Sequence, residues 1–149
     1  MAVIRTVLCI IVDFASTEAS LRLSLQLVQS RTLIKNDGAT RVHILIVDNG
    51  NLTPVRLTEE QRNNGIDLLR SQHNDGYAGG IRVAVERVGE QFDAFWFLNS
   101  DLEVDVECLP RLLAVLDNQP KVGAVGPTVF VGHGTRVWGA RGIVNPTLG

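Results

Sequence analysis

The chain has 149 residues, of which 45% are hydrophobic, and its 14 Lys and Arg residues nearly balance its 16 Asp and Glu residues. This length suits a single domain over residues 1–149, able to bury about two-thirds of its unfolded surface. The basic residues are scattered, so we expect no nucleic-acid partner, and the longest apolar run is too short for a transmembrane segment.

The two cysteines indicate a reducing environment. Cys9 lies in an apolar strand pattern and Cys108 in a helical one, and their spacing matches no metal or redox motif. We therefore predict two reduced core thiols in a cytoplasmic protein without an export signal. A peripheral position at the inner membrane is a second expectation for its location.

The first half of the chain alternates between apolar runs and helical periodicity. Residues 7–12 predict a buried strand, and residues 18–30 carry leucines at helical spacing. Turn residues at 35–38 precede a second buried strand at 42–47. Residues 51–64 are polar and predict a loop with a short helix around 59–62.

The second half continues this alternation. Residues 66–69 predict a third, weaker strand, and a glycine-rich loop at 74–80 leads into a helix that Gly89 ends. The run at 94–98 is too short for a helix and predicts a fourth strand, buried on both faces. Asp105 is the expected N-cap of a leucine-rich helix.

A fifth strand is predicted at residues 122–125, and residues 128–149 show no clear periodicity. Strands that alternate with helices at this spacing favour βαβ units. We therefore predict an α/β fold with a mostly parallel sheet that helices cover on both faces.

Polar groups follow the predicted strands at four places. They are Asp13 with Phe14, Asp48 with Asn49, the loop from Asn74 to Gly80, and Asn99-Ser100-Asp101. The carboxyl ends of parallel strands share one edge of a sheet, so these groups should converge there. Carboxylates at such an edge suit a nucleotide held with Mg²⁺ or Mn²⁺, and glycines let the backbone approach the ligand. Asp101 is the first candidate residue.

Each group taken alone has a simpler interpretation. Asp48-Asn49-Gly50 is more often only a turn, because Asp and Asn bond to their own backbone there. The loop at 74–80 lacks the G-x-G-x-x-G spacing of a dinucleotide fingerprint. The specific signal is the order of all four groups along the chain.

In that order the chain resembles the inverting family 2 glycosyltransferases of the GT-A fold, especially their bacterial rhamnosyltransferase-like branch. The family pattern is Val-Asn-Tyr-Asn-Ser, Val-Asp-Asn-Gly-Ser, Asn-x-Gly-Phe-Ala-Gly-Gly and Leu-Asn-Pro-Asp. The corresponding segments here are Val12-Asp13-Phe14-Ala15-Ser16, Val47-Asp48-Asn49-Gly50-Asn51, Asn74-Asp75-Gly76-Tyr77-Ala78-Gly79-Gly80 and Leu98-Asn99-Ser100-Asp101.

This resemblance implies a Rossmann-like GT-A fold, C-terminally incomplete, and a nucleoside-diphosphate sugar as the donor. It implies that Asp48 bonds the base and that the loop with Asp13 and Phe14 lines the same pocket. Asp13 and Ala15 stand where the family has Asn. An extra negative charge is therefore expected near the pocket unless it is hydrogen-bonded or turned away.

The remaining nucleotide-binding residues are also carried over by resemblance. Asn74, Gly79 and Gly80 should shape the wall around ribose and phosphate. Asn99 stands at the first acid position of the Asp-x-Asp-like motif and Asp101 at the last, where it should hold a divalent cation. That Mg²⁺ or Mn²⁺ ion would neutralise the departing diphosphate.

The general base of the family, and most of its acceptor site, lie in a second half that has no match after Gly126. We therefore expect a glycosyltransferase that is represented by its donor-binding half and is inactive as this chain. The acceptor would be a saccharide or a lipid-linked saccharide, as in cell-surface polysaccharide biosynthesis. Apolar residues near Trp138 and Ile143 would favour a homodimer.

Two other hypotheses remain open from the sequence. One is a catalytically silent nucleotide-binding or interaction module that keeps the sheet but has lost turnover. The other is a phosphohydrolase of the haloacid-dehalogenase type, suggested by the apolar strand before Asp13 and by Thr17 four residues later. That family requires a second acid where Ala15 stands.

Overall fold

Four parallel strands form the main sheet in the computed structural model, which describes residues 6–34, 40–88, 91–132 and 134–140. The strands are β1 (Thr6–Asp13), β2 (Arg41–Asn49), β3 (Ile66–Ser71) and β4 (Ala94–Asn99), in the spatial order β3-β2-β1-β4. Because all four run in the same direction, their carboxyl ends lie at one edge of the sheet.

Helices cover both faces of this sheet. They are α1 (Thr17–Ile34), α2 (Glu59–Asn63), α3 (Gly76–Val88) and α4 (Cys108–Asn118). Leucines of α1 and α4 pack on one face of β1, and Ala84 of α3 packs on the other. The predicted α/β fold with helices on both faces of a parallel sheet is therefore confirmed. None of the helices in the described ranges is both long and apolar enough to cross a membrane.

Strand β1 lies at the centre of the core. Its side chains alternate between the two faces, so that Val7, Cys9 and Ile11 join one apolar cluster while Leu8, Ile10 and Val12 join the other. Burial of each large aliphatic side chain contributes roughly 1.5–3 kcal/mol relative to exposure. The same burial raises the pKa of the Cys9 thiol to about 12. Both cysteines are free thiols, and Cys108 is half-buried.

The predicted helices and strands of the first half are confirmed, with small changes at their ends. Helix α1 continues past Ser30 to Ile34, whose side chain is buried in the same cluster as the leucines of this helix. Helix α2 begins with a capping box, in which Thr58 and Gln61 each satisfy a backbone N–H of the other. The predicted turn at 35–38 and the helix end at Gly89 lie outside the described residues.

The expectation that β4 is buried on both faces is wrong. Only Leu98 of this strand is buried, and Phe97 is 46% exposed. Within the described residues β4 pairs with β1 alone and is therefore an edge strand. A run of aromatic residues fits such a half-covered position as well as a buried one, so the apolar pattern did not distinguish the two.

The predicted fifth strand at 122–125 is also wrong. That segment is irregular and begins with a turn, in which Val122 N donates to Gln119 O at 2.9 Å. The next strands are instead β5 (Val129–Val131) and β6 (Arg136–Gly139), an antiparallel pair within the stretch that showed no periodicity. Ile143 lies outside the described residues.

Two predicted helix starts are shifted. Helix α3 begins at Gly76, so Gly79 and Gly80 belong to its first turns and not to the loop before it. The N-cap of α4 is Glu107, and Asp105 lies before it, with its carboxylate accepting from Glu107 N at 2.8 Å. Asp105 therefore forms an Asx turn ahead of the helix and does not cap it.

Candidate functional site

The carboxyl edge of the sheet brings together several of the residues that the sequence pointed to. In the register of the strands, Asp13 of β1 pairs with Asp48 of β2, and Val12 pairs with Asn99 of β4. The acidic and amide residues at the ends of three neighbouring strands therefore lie side by side. Asp101 follows β4 by two residues and is exposed.

Asp13 is fully buried, and its carboxylate is surrounded by donors. It accepts hydrogen bonds from Ser16 Oγ at 3.1 Å, from Thr17 Oγ1 at 3.2 Å and from Asn51 Nδ2 at 2.8 Å. Ser20 Oγ donates to the same carboxylate. These hydroxyls come from the first turn of α1 and the loop before it, so Asp13 fastens that helix to the end of β1. The extra negative charge is thus hydrogen-bonded within the protein.

Asp48 is also fully buried. One oxygen accepts from Asn51 N at 3.1 Å and from Asn51 Nδ2 at 2.6 Å, and the other accepts from Val55 N at 3.1 Å. Arg70 Nε of β3 lies 3.8 Å from the second oxygen, with its side chain largely in solvent. Three of the roughly four acceptor sites of the Asp48 carboxylate are therefore used within the protein, and its burial keeps the carboxylate from solvent.

Asn51 connects the two buried acids, and the sequence did not reveal it. Its Nδ2 donates to both Asp13 and Asp48, and its Oδ1 accepts from Ala15 N at 2.6 Å. Ala15 has a φ of 56°, a left-handed conformation that is uncommon for alanine. Asn51 follows Asp48 by three residues, a spacing typical of a turn, but its bond to Ala15 depends on the distant β1 loop.

A serine pair extends these contacts to β4. Ser16 Oγ and Ser100 Oγ are 2.5 Å apart, and with Ser16 donating to Asp13, Ser100 supplies the hydrogen of that bond. The chain of bonds runs from Ser100 through Ser16, Asp13 and Asn51 to Asp48. It ties the ends of β4, β1 and β2 together at one edge.

The glycine-rich segment meets the end of β2 through Asn49. Asn49 Nδ2 donates to Asn74 Oδ1 and to Gly76 O, each at 3.0 Å. Gly50 has a φ of 75°, and a Cβ there would lie 2.6 Å from Asn74 N. A Cβ on Gly80 would lie 2.7 Å from a methyl group of Val12. Gly50 and Gly80 are therefore required for close packing between the segments.

Other predicted residues face solvent or a cavity. Phe14 is 52% exposed, and Asn74 and Asn99 are exposed as well. Asp101 lines a cavity of about 750 Å³ between β4 and β5, with Phe97 and Phe130 among its other walls. Asp48 does not line this cavity. The residues predicted to bind the nucleotide thus include buried and accessible groups.

A four-stranded parallel sheet with helices on both faces and polar groups at its carboxyl edge is consistent with the Rossmann-like GT-A fold. The family model Glycosyl transferase family 2 matches residues 9–146, and the chain belongs to this family. No curated protein gives a significant match. The predicted family is confirmed, which supports glycosyltransferase function and not the phosphohydrolase alternative.

Family membership implies a nucleotide-sugar donor and an acceptor as substrates. Members of this family commonly use divalent cations. Among the residues that the structure describes, no group of three or more His, Cys, Asp or Glu could hold a metal ion. A cation at this edge would therefore depend on further ligands, such as the phosphates of a substrate.

Proposed function

We propose that the chain binds the donor of a sugar-transfer reaction, a nucleoside-diphosphate sugar, at the carboxyl edge of β1, β2 and β4. The transfer would invert the anomeric centre by single displacement onto a saccharide or a lipid-linked acceptor, as in the rhamnosyltransferase-like branch. The observation that carries this proposal is the chain of hydrogen bonds from Ser100 to Asp48, which joins the ends of these three strands. We also propose that the protein is cytoplasmic.

The base would bind beside the loop between β1 and α1. Phe14 is the exposed aromatic side chain there, and a purine or pyrimidine gains about 1–3 kcal/mol by stacking on such a ring. Asp13 would act by holding this loop, because its oxygens are already bonded within the protein. Asp48 holds the following loop and is fully buried, so a base would reach its carboxylate only where this loop shifts.

The ribose and phosphates would bind near the beginning of α3. Asn74 is exposed there, and its Oδ1 accepts from Asn49 Nδ2 and from Gly76 N, the first N–H of α3, while the amino end of the helix dipole favours a negative charge. Gly79 and Gly80 lie in these first turns, where the side chains of Asp75 and Val12 leave no room for a Cβ. The exposed position of Asn74 supports the role that the resemblance implied for it, whereas the buried Gly80 would act by letting α3 pack closely against β1.

The residues at the end of β4 fit a divalent cation that binds together with its substrate. Asp101 offers an exposed carboxylate and Asn99 an exposed amide oxygen. Mg²⁺ is commonly held by one or two carboxylates plus substrate phosphates, so one exposed acid suffices when a diphosphate is present. The bound cation would stabilise negative charge on the departing diphosphate. We assign the general base to none of the described residues.

Isothermal titration of the folded chain with UDP, dTDP and GDP, each with and without Mn²⁺, tests the proposal. We expect at least one of them to bind more tightly with Mn²⁺, and Asp101→Ala to remove that increase. Asp67→Ala is the matched control, because Asp67 is an exposed carboxylate near the amino end of β3. If none of the three nucleotides binds in the presence of Mn²⁺, the proposed function is overturned.

A binding module without turnover is the second candidate. The burial of Asp13 and Asp48 and their hydrogen bonds within the protein favour it, because these acids are then structural and not reactive. Release of nucleoside diphosphate from a nucleotide sugar, in the presence of candidate acceptors, separates the two functions. Nucleotide binding without any release supports the module.

Self-association is a further part of the proposal. Trp138 is 75% exposed, and Phe130 and Val137, which pair across the β5–β6 ladder, are also exposed. Large exposed apolar side chains that lie together favour contact with another protein surface. Light scattering over a range of concentrations checks whether a homodimer forms, and a constant monomer mass contradicts it.

A further inference from the structure

We propose that Asn51 is a positioning residue, which sets the β1–α1 loop so that the Phe14 ring is presented to the nucleobase. This inference rests on the proposed function, since it concerns the binding of the donor nucleotide. Neither the family match nor the motif resemblance gives Asn51 such a role, because the family pattern has Ser at this position.

The side chain of Asn51 joins three other residues. The Asn51 amide donates to Asp13 Oδ2 at 2.8 Å and to Asp48 Oδ1 at 2.6 Å, and it accepts from Ala15 N at 2.6 Å. Its own backbone N–H is held by Asp48 at 3.1 Å. The Nδ2 and Oδ1 atoms of Asn51 are therefore both hydrogen-bonded. The side chain links the end of β2 to the loop after β1.

The backbone beside Phe14 has an unusual conformation. Phe14 lies between Asp13, which is fully buried, and Ala15, which has a φ of 56°. A left-handed alanine is strained, and this conformation persists only where neighbouring groups hold it. The bond from Ala15 N to Asn51 Oδ1 holds this residue directly, while Ser16 after it is bonded to Asp13 and Ser100.

This backbone conformation determines where the Phe14 ring lies. With Asp13 directed into the protein and the chain reversing at Ala15, the side chain of Phe14 is directed outward and remains 52% exposed. An exposed phenylalanine at the edge where strands end gives a flat apolar surface for stacking, and its two side-chain torsions lose little entropy on binding. Without Asn51, the strain at Ala15 would be released and the ring would lose this fixed position.

The test is a double-mutant cycle on nucleotide affinity with Asn51→Ala, Phe14→Ala and the two changes combined. Dissociation constants for UDP, dTDP and GDP are measured by titration calorimetry with Mn²⁺. We expect Phe14→Ala and Asn51→Ala each to weaken binding of the preferred nucleotide about tenfold. The combined variant should bind no more weakly than Phe14→Ala alone. Full multiplication of the two effects would overturn the inference.

The control is Asn63→Ala at the exposed end of α2, which should leave the affinity unchanged. The alanine change at Asn51 removes a hydrogen-bond donor from two buried carboxylates. Asn51→Ser serves as a second variant, because the shorter serine side chain keeps a hydroxyl donor at this position. Thermal unfolding of each variant shows which of them are folded at the titration temperature. A folded Asn51 variant with unchanged affinity contradicts the inference.

A measurement without nucleotide separates this inference from the proposed function. The amide hydrogen of Ala15 should exchange with solvent at least tenfold faster in Asn51→Ser than in the unmodified chain, as read by NMR. Unchanged exchange overturns the role of Asn51 whatever the chain binds. If the unmodified chain binds no nucleotide, the proposed function fails, while faster exchange still supports the control of this loop by Asn51.

Discussion

Asp13 and Asp101 follow neighbouring strands at the same edge of the sheet, but one carboxylate is fully buried and the other is exposed. Asp13 accepts hydrogen bonds from four side chains, and Asp48 on the next strand is buried in the same way. Asp101 instead lines a cavity. An acid that follows a strand can therefore be either a buried structural group beneath the site or an exposed group that binds a ligand there.

Asp13 and Asp101 also differ in how many hydrogen-bond donors surround them. The end of β1 lies between β2 and β4, and α1 begins directly after its loop, so many donors are within reach. Among the strands that the structure describes, β4 lies at the edge of the sheet, and residues 122–127 of the irregular segment line a cavity beside it. Local density of polar partners thus determines which acid becomes structural. Substitutions at Asp13 should therefore change mainly stability, whereas substitutions at Asp101 should change mainly binding.

The largest effect is expected for Asp13→Ala. Its removal leaves buried hydroxyls and one hydrogen of the Asn51 amide without an acceptor, and each such group costs about 1–3 kcal/mol when it stays unpaired. Reorientation of the hydroxyls recovers part of this, so we expect a loss of about 3 kcal/mol in the free energy of unfolding. Urea unfolding measures it.

Asp13→Asn is the matched control, because the amide keeps one oxygen as an acceptor and the family has Asn at this position. We expect it to lose about half as much as Asp13→Ala. A loss below about 1 kcal/mol for the alanine variant would mean that the buried acid is dispensable, and the contrast with Asp101 would disappear.

Gly50→Ala is expected to have the next largest effect. A Cβ at this position would lie 2.6 Å from the backbone nitrogen of Asn74, and φ is 75°. The clash adds about 1 kcal/mol, the low end for overpacking, to the left-handed strain of about 1–2 kcal/mol, so the expected loss is about 2–3 kcal/mol. Gly65→Ala is the control for strain alone, since φ is 65° there and nothing lies within 4 Å. Equal losses of stability in the two variants would show that the contact with Asn74 is not tight.

The sequence was sufficient for most of the fold because its signals are local. Periodicity over residues 18–30 and the apolar run at 7–12 each report on a single element, and their alternation implies the parallel sheet. Whether another strand covers β4 is not a local property. The run at 94–98 therefore predicted a strand correctly but gave the wrong burial.

The same limit applies to the candidate site. The motif order located the strand ends, but Asp13, Asp48 and Asp101 have similar sequence surroundings and differ only in which donors reach them. The role of Asn51 depends on Ala15, which is 36 residues away along the chain. Such long-range contacts follow from the packing of β1 against β2, and no fixed residue spacing in the sequence indicates them.

A small gain is expected for Ala15→Gly. Glycine adopts a positive φ without the cost of about 1–2 kcal/mol that alanine carries, although its unfolded chain is more flexible. We expect the free energy of unfolding to rise by about 0.5 kcal/mol. Ala114→Gly, at an exposed position inside α4, should instead lose about 1 kcal/mol. Losses of the same size in both variants would contradict the strain at Ala15.

The smallest change in stability is expected for Asp101→Ala, and it gives the sharpest comparison with Asp13→Ala. An exposed side chain at the end of an edge strand has water as its alternative partner, so its loss should shift the free energy of unfolding by less than about 0.5 kcal/mol. Urea unfolding and calorimetric titration with Mn²⁺ and nucleotide are measured on the same preparation. Unchanged stability with lost metal-dependent binding supports Asp101 as the cation ligand, whereas a loss of stability near that of Asp13→Ala would make it a structural residue of the turn.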